Sequence, residues 1–339
     1  MRLSAVTAGC IALLALPVSA DTAPPRVSGP TVHENLAVYF IHGRSQDGPV
    51  PLTLEEALRK GSVQVRETSN VNALEIKNLG DKPVFVQAGD IVKGGKQDRT
   101  LTVSLLLPAK SGRVSIASFC VEHGRWSPRA SENAGNFASS SAIVPSREMK
   151  LAMQAPLPAV PGNSPRAETG ERQAKVWDSV SRTQAQLTKG TGADVRAVAS
   201  ASSLQLALEN EKLIAVRDAY VKALKTAGEK GNDIVGFVFA VNGKLNSGDV
   251  YLSHALFRKM WPKLLQASAI EAIGRRNETV EGTPSEKEVR EFLAKADNGN
   301  ASEWPLEFGM RRVLNETESG YRIEAASAQG WVHRSYLVK

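Results

Sequence analysis

Between residues 62 and 122 the chain passes through short alternating runs of apolar and polar residues, each bounded by turn residues: SVQVRET (62–68), ALEIKN (73–78), PVFVQ (83–87), RTLTVSLLL (99–107) and RVSIASFCVE (113–122). A period of two puts the apolar set on one face of a strand, so these runs predict a predominantly antiparallel sheet. LAVYFI (36–41) reads as a further strand, and DIVGFVFAVNGKL (233–245) as a hairpin turning at Asn242-Gly243. Between and after the strands lie helix signals. Thr53-Leu54-Glu55-Glu56 is a capping box for a short helix ending before Gly61. Helical spacing recurs at 171–189 and at 202–228, the latter carrying Leu204, Leu208, Ile214, Val221 and Leu224. Ser253 caps a helix to about Ile273, with Phe257, Trp261, Leu264, Leu265 and Ile270 on one side and a kink expected at Pro262. Thr283-Pro284-Ser285-Glu286 opens another helix to Ala296, and RRVLNET, YRIEAAS and WVHRSYLV follow as a three-stranded meander, expected as a small separate unit. There is no internal repeat. The fold class is α+β, an antiparallel sheet packed with several helices.

Two stretches stand apart. Residues 127–170 are crowded with Ser, Ala, Pro, Gly and Asn and show no sustained period, which predicts a flexible insertion within a domain spanning 33–275. At the N-terminus, Arg2, the apolar run 3–16 and Val18-Ser19-Ala20 before Asp21 predict a cleaved export signal and a bacterial periplasmic or secreted protein, with no membrane segment left after cleavage. A lipoprotein signal at Cys10 is disfavoured by Thr7. Cys120 is then alone, so no internal disulfide and no CxxC metal or redox motif is available.

The 339 residues suffice for one large core or two modest ones, and a net charge of +7 favours anionic partners. The charge is dispersed and matches no nucleic-acid-binding pattern, so nucleic acid is not expected. No cofactor is implied.

The chemistry gathers at one place. If 99–107 and 113–122 pair as a hairpin centred near Lys110, Cys120 lies opposite Thr100 and Glu122 opposite Asp98. The loop holding Lys93, Gly94, Gly95, Lys96, Gln97, Asp98 and Arg99 then meets Cys120, Glu122, His123 and Arg125. Two readings follow. Lys96, Arg99 and Arg125 can neutralise Asp98 and Glu122, giving an internal ion-pair network. Alternatively, Gly94-Gly95 lets backbone N–H groups converge on a small anion, with Gln97 and the cations beside it. The pair lacks the spacing of a P-loop or a dinucleotide fold. Cys120 in an apolar strand reads as a buried inert thiol sooner than a nucleophile, and His123 falls on the opposite strand face. The same parity argues against a metal site from Cys120, Glu122 and His123. Trp126 is expected to pack or stack beside Arg125. His33, His42, His254 and His333 are scattered, and no Ser-His-Asp pattern appears.

GDIVKGGKQDRTL, SFCVEHGRW and the later GFVFAVNGKLNSGDVYLSHALFRKMWPKLLQA resemble the ARG and Rhodanese-Phosphatase-superfamily-associated protein domain family over about 33–275. Its G-[DE]-x-x-x-G-[GA]-K-Q-[DN]-R and C-V-E-x-G-R-W motifs are complete here, mapping onto Gly89, Asp90, Gly95, Lys96, Gln97, Arg99, Cys120, Glu122, Gly124, Arg125 and Trp126. By association, the resemblance implies nucleotide-derived or phosphorylated ligands. The leading functional expectation is a small-anion-binding module. The alternatives are a hydrolase or transferase using Glu122 or Asp98, with Cys120 as nucleophile, and a structural or partner-binding domain.

Overall fold

LAVYFIH and IVGFVFAV are apolar at nearly every position, so a strand made from either must be covered on both faces. They become the paired strands Leu36–His42 and Ile234–Val241. One face, with Val38, Phe40, Phe237 and Phe239, packs on the helix His254–Gly274. The other, with Ala37, Tyr39 and Val238, packs on Val289, Phe292 and Leu293 of the helix Glu286–Asp297. Trp261 anchors the first interface among the rings of Phe40, Phe237 and Phe257, 5.4–5.8 Å away, with its indole N–H donated to the Lys225 carbonyl. Each such aromatic pair adds about 0.5–1.5 kcal/mol beyond area burial.

The computed structural model describes residues 25–129, 132–157 and 164–339, so the expected leader at 1–20 lies outside the described residues. The fold is α+β, with an eight-stranded and a six-stranded antiparallel sheet and a small three-stranded one. The hairpin turns at Asn242-Gly243, both at positive φ, as a two-residue turn of matching twist requires.

The C-terminal meander forms as expected, but its last strand, Gly330–Val338, pairs with Lys244–Tyr251 and continues the eight-stranded sheet. It is therefore no separate unit. Lys244–Tyr251 is buried over most of its length, and its second edge needs a partner for its backbone polar groups.

Residues 132–157 also depart from expectation. Phe137–Ile143 is an edge strand of the six-stranded sheet, paired with Asp90–Gly94. Arg147–Gln154 is a helix capped by Ser146. Five apolar residues of this polar stretch, Phe137, Ile143, Val144, Met149 and Met153, are buried, which is what fixes it. The remaining parts of the expected insertion, 130–131 and 158–163, lie outside the described residues. The next helix, Pro165–Thr191, begins earlier than its periodicity showed, because Ser164 caps it and Pro165 sits in its first turn. The 202–228 helix is divided: Leu204–Leu208 ends before Asn210, whose side chain caps Glu211–Leu224.

The run 99–107 breaks at 102–104. Arg99–Leu101 stays in the six-stranded sheet, while Leu105–Leu107 joins Val84–Val86 in the small one. Gly112–Cys120 pairs with Ala73–Asn78 along most of its length and with Arg99–Leu101 at its end. The expected hairpin thus survives only where the motif segments meet. Its register is one residue different, with Cys120 opposite Arg99 instead of Thr100. That single step puts Arg99 and Cys120 on one face of the sheet.

Candidate functional site

The loop between the strands Asp90–Gly94 and Arg99–Leu101 folds inward over its own acid. Gly94 N–H donates to Asp98 Oδ1 at 3.0 Å, and Gly95 N–H donates to the Asn133 carbonyl at 3.1 Å. The two N–H groups that the Gly-Gly pair was expected to offer an external anion are therefore occupied. The anion held by the first is the protein's own Asp98. Gly95 is required for a second reason, since a Cβ there would lie 2.4 Å from the ring of Phe137.

Asp98 and Glu122 meet as expected, with Asp98 N–H donating to Glu122 Oε2 at 3.3 Å. Both side chains are fully buried. Arg125 grips Glu122 with Nε and Nη2, each 2.8 Å from a carboxylate oxygen. Lys96 and Arg99, however, do not converge on these acids. Asp98 is held instead by Arg129 Nη2 at 2.7 Å and by Ser203 Oγ at 3.1 Å, and Arg129 also pairs with Glu132 at 2.9 Å. Arg99 lies across the sheet beside Cys120 and pairs with Glu67 at 3.5 Å. Four carboxylates (Glu67, Asp98, Glu122 and Glu132) thus face three guanidiniums, which leaves no surplus positive charge among the buried groups.

Sequence reasoning missed Arg129, Glu132, Glu67 and Ser203. Arg129 stands three residues past the second motif, in the stretch read as an insertion. Two facing buried acids with one committed cation were the signal that another was needed.

Burial pushes the Asp98 carboxyl up, a rise that the Gly94 N–H and Arg129 only partly oppose. Glu122 feels the same burial, but the hydrogen bonds from Arg125 and Ser200 and the charges of Arg125 and Arg129 outweigh it, and its pKa falls. Neighbouring acids pushed apart in this way are a mark of acid–base sites. Here the groups around them fill the space a substrate would need.

Burial also pushes the Cys120 thiol up to about 11, against the charge of Arg99 and with that of Glu67 and Glu122. Gln173 clamps the Cys120 backbone, donating to its carbonyl and accepting from its N–H. His123 points away, edge-on to Trp177 at 4.5 Å. Among the described residues no base reaches the Cys120 thiol, which is fully buried. At pH 8 a thiol with that pKa is about a hundredfold less ionised than one at 9, so alkylation of Cys120 in the folded chain, followed by peptide mass spectrometry, should run at least that much slower than in denaturant. Comparable rates in both states would make it a reactive thiol.

The open side of the cluster is its rim. Trp126 is 47 % exposed and lies beneath Lys96 Nζ and the Arg99 guanidinium, 5.2 and 5.6 Å from its ring centroid. Lys96 Nζ donates to Ser69 Oγ at 3.0 Å and has no carboxylate within 4 Å among the described residues. Lys93 is tied to Glu209 at 2.8 Å, and Asp90 to Lys263 at 2.8 Å. The motif acid Asp90 thus joins the sheet to the helix His254–Gly274. The side chain of Gln97 is buried in the loop. Among the described residues no cluster of His, Cys, Asp or Glu is placed to hold a metal, and no helix is long and apolar enough to cross a membrane.

The chain matches the family model described as ARG and Rhodanese-Phosphatase-superfamily-associated Protein domain over residues 25–337. The match takes in the C-terminal meander, which the motif resemblance had left outside. No curated protein and no solved structure matches.

Proposed function

The chain belongs to the ARG and Rhodanese-Phosphatase-superfamily-associated Protein domain family, and on that premise we propose that it is an exported binding module for a small anion, held at the rim of the motif cluster by Lys96, beside Trp126. The observation that carries this reading is that Lys96 is the cluster cation with no acid beside it, and that it stands over an exposed indole face. A carboxylate or phosphate meets two free donors on Nζ, and a planar body stacks on Trp126. Beneath them, the closed network of Arg125, Arg129, Asp98 and Glu122 keeps the rim rigid. Export rests on the leader read at 1–20. The fully buried positions of Asp98, Glu122 and Cys120 favour binding over an acid–base or thiol reaction at this cluster.

The test titrates inorganic phosphate and benzoate into the protein, following tryptophan fluorescence and melting temperature. Lys96→Ala should weaken binding about tenfold or more, the scale of one charge-assisted hydrogen bond, and leave the melting temperature nearly unchanged. Arg125→Ala should do the reverse. The absence of a wild-type response to either probe, or an equal response in Lys96→Ala, would sink the reading.

A further inference from the structure

The break at 102–104 has a second consequence. It delivers Ser104 to the face of the eight-stranded sheet, where Ser104 Oγ lies 3.1 Å from His333 Nδ1 and His333 Nε2 lies 3.0 Å from Asp249 Oδ1. These residues come from the loop before Leu105–Leu107 and from the neighbouring strands Gly330–Val338 and Lys244–Tyr251. They are at least 84 residues apart in sequence, which is why no pattern showed them.

The tautomer follows from the partners. An ionised Asp249 only accepts, so Nε2 carries the ring proton and Nδ1 is left as the acceptor for the Ser104 hydroxyl. Burial alone would raise Asp249, but the hydrogen bond from His333 and the charge of Lys150 hold it below its ordinary value. The Ala88 N–H donates to Ser104 Oγ at 2.9 Å, which turns the hydroxyl proton toward the imidazole. Tyr251 and Phe85 pack the imidazole at 5.0 and 5.6 Å between ring centroids. His333 and Asp249 are buried, whereas Ser104 is half-buried and lines a cleft.

Arg312 lines the same cleft. It lies over Trp304 at 4.9 Å, donates to the Gln154 carbonyl at 2.7 Å, and has no carboxylate within 4 Å among the described residues. Glu324 lines the cleft too, but its carboxylate is paired with Arg334 at 2.6 Å. An unpaired guanidinium sharing a cleft with a serine hydrogen-bonded to an oriented histidine suits an acyl ester that carries an anionic group.

We propose that Ser104, His333 and Asp249 form a second, hydrolytic site, for a short-chain acyl ester whose alcohol part bears a carboxylate or phosphate held by Arg312. Ser104 Oγ bonds to the carbonyl carbon as its proton passes to His333 Nδ1. The carbon–oxygen bond to the alcohol then breaks, and His333 returns the proton to the departing alkoxide. Water repeats the sequence, releasing the acid and restoring the hydroxyl. Asp249 is a positioning residue that fixes the tautomer. The enclosed space beside Ser104, about 10 Å³, is that of one water molecule, so the ester must reach Ser104 from the cleft mouth and only a small acyl part suits it.

The experiment treats the full chain with a small fluorophosphonate and maps the adduct by peptide mass spectrometry. Hydrolysis of 4-acetoxybenzoate is compared with that of neutral p-nitrophenyl acetate. An adduct at Ser104 in folded wild type, absent from Ser104→Ala and His333→Gln, is expected. So is a loss of at least a hundredfold in 4-acetoxybenzoate hydrolysis by Ser104→Ala. Arg312→Gln should raise KM about tenfold for 4-acetoxybenzoate and leave KM for the neutral ester within twofold. Asp249→Asn should lower kcat and alter the pH profile, with KM kept. No adduct at Ser104, or an unchanged rate in Ser104→Ala, overturns the site; equal KM shifts for the two esters in Arg312→Gln overturn the anion-holding role. None of these readouts involves Lys96, so this site and the rim stand or fall separately.

Discussion

Asp98→Ala is expected to lower the stability of the fold by about 3–5 kcal/mol, the range for removing one partner of a buried ion pair. The Asp98 carboxylate is wholly buried and receives hydrogen bonds from the Gly94 N–H, Arg129 and Ser203. Alanine leaves Arg129 with Glu132, strands a loop N–H, and frees the hydroxyl that caps the helix Leu204–Leu208. Asp98→Asn separates the lost acceptor from the lost charge. Burial holds the Asp98 carboxyl above its ordinary 3.8, so the negative charge is less favoured there than in water. Asparagine keeps an acceptor for Gly94 and should cost clearly less, about 1–2 kcal/mol. Glu122 has the opposite sign. Its folded pKa lies below the ordinary 4.5, so Glu122 adds stability above that pH, which is lost as the pH falls through the folded value. Asp98 loses its unfavourable charge as the pH falls through its raised folded value towards 3.8, so part of the acid loss is offset. Glu122→Gln should therefore cost more than Asp98→Asn at neutral pH and flatten the acid limb of the stability curve. Urea unfolding at several pH values measures all of this. A loss below about 1 kcal/mol in Asp98→Ala would mean that the network carries little of the fold.

The parts of this molecule legible in its sequence are those that local physics decides. Alternation marked Ala73–Asn78, whose side chains are buried at every second position. Hydrogen-bond chemistry marked the box at Thr53, and positive φ marked the turn at Asn242-Gly243. The motif pairing was legible because a short hairpin end fixes which residues meet. What stayed hidden was decided by tertiary partners. Nothing local says that 99–107 must change sheets after Leu101, or that Phe137 and Met149 in a polar stretch are enough to order it. Arg129 was hidden for the same reason, having no meaning until Asp98 stands beside it. Ser104, His333 and Asp249 are the extreme case, since a loop and two strands bring them together and no spacing records it.

Gly95→Ala should destabilise the fold by about 2–5 kcal/mol, which decides what the paired glycines are for. Gly95 sits at φ 57, where a Cβ brings about 1–2 kcal/mol of left-handed strain. That Cβ would also lie 2.4–2.9 Å from three atoms of the Phe137 ring. The ring is boxed in, because Phe137 pairs with Gly94 in the edge strand and is itself buried. Overpacking of this kind adds about 1–3 kcal/mol. Gly112 is the control, at φ 72 with nothing within 4 Å of its would-be Cβ, so Gly112→Ala should show the strain alone. Shortening the ring should then relieve the clash: Gly95→Ala with Phe137→Leu should be less destabilised than the two single losses added, by about 0.5–3 kcal/mol in a double-mutant cycle. If the loop is a packed turn whose N–H groups serve Asp98 and Asn133, the cost appears in urea unfolding with or without phosphate present. If the glycines instead leave room for a ligand, Gly95→Ala should erase the phosphate response at little cost in stability. Equal losses at Gly95 and Gly112 would remove Phe137 from the account and return the pair of glycines to the ligand.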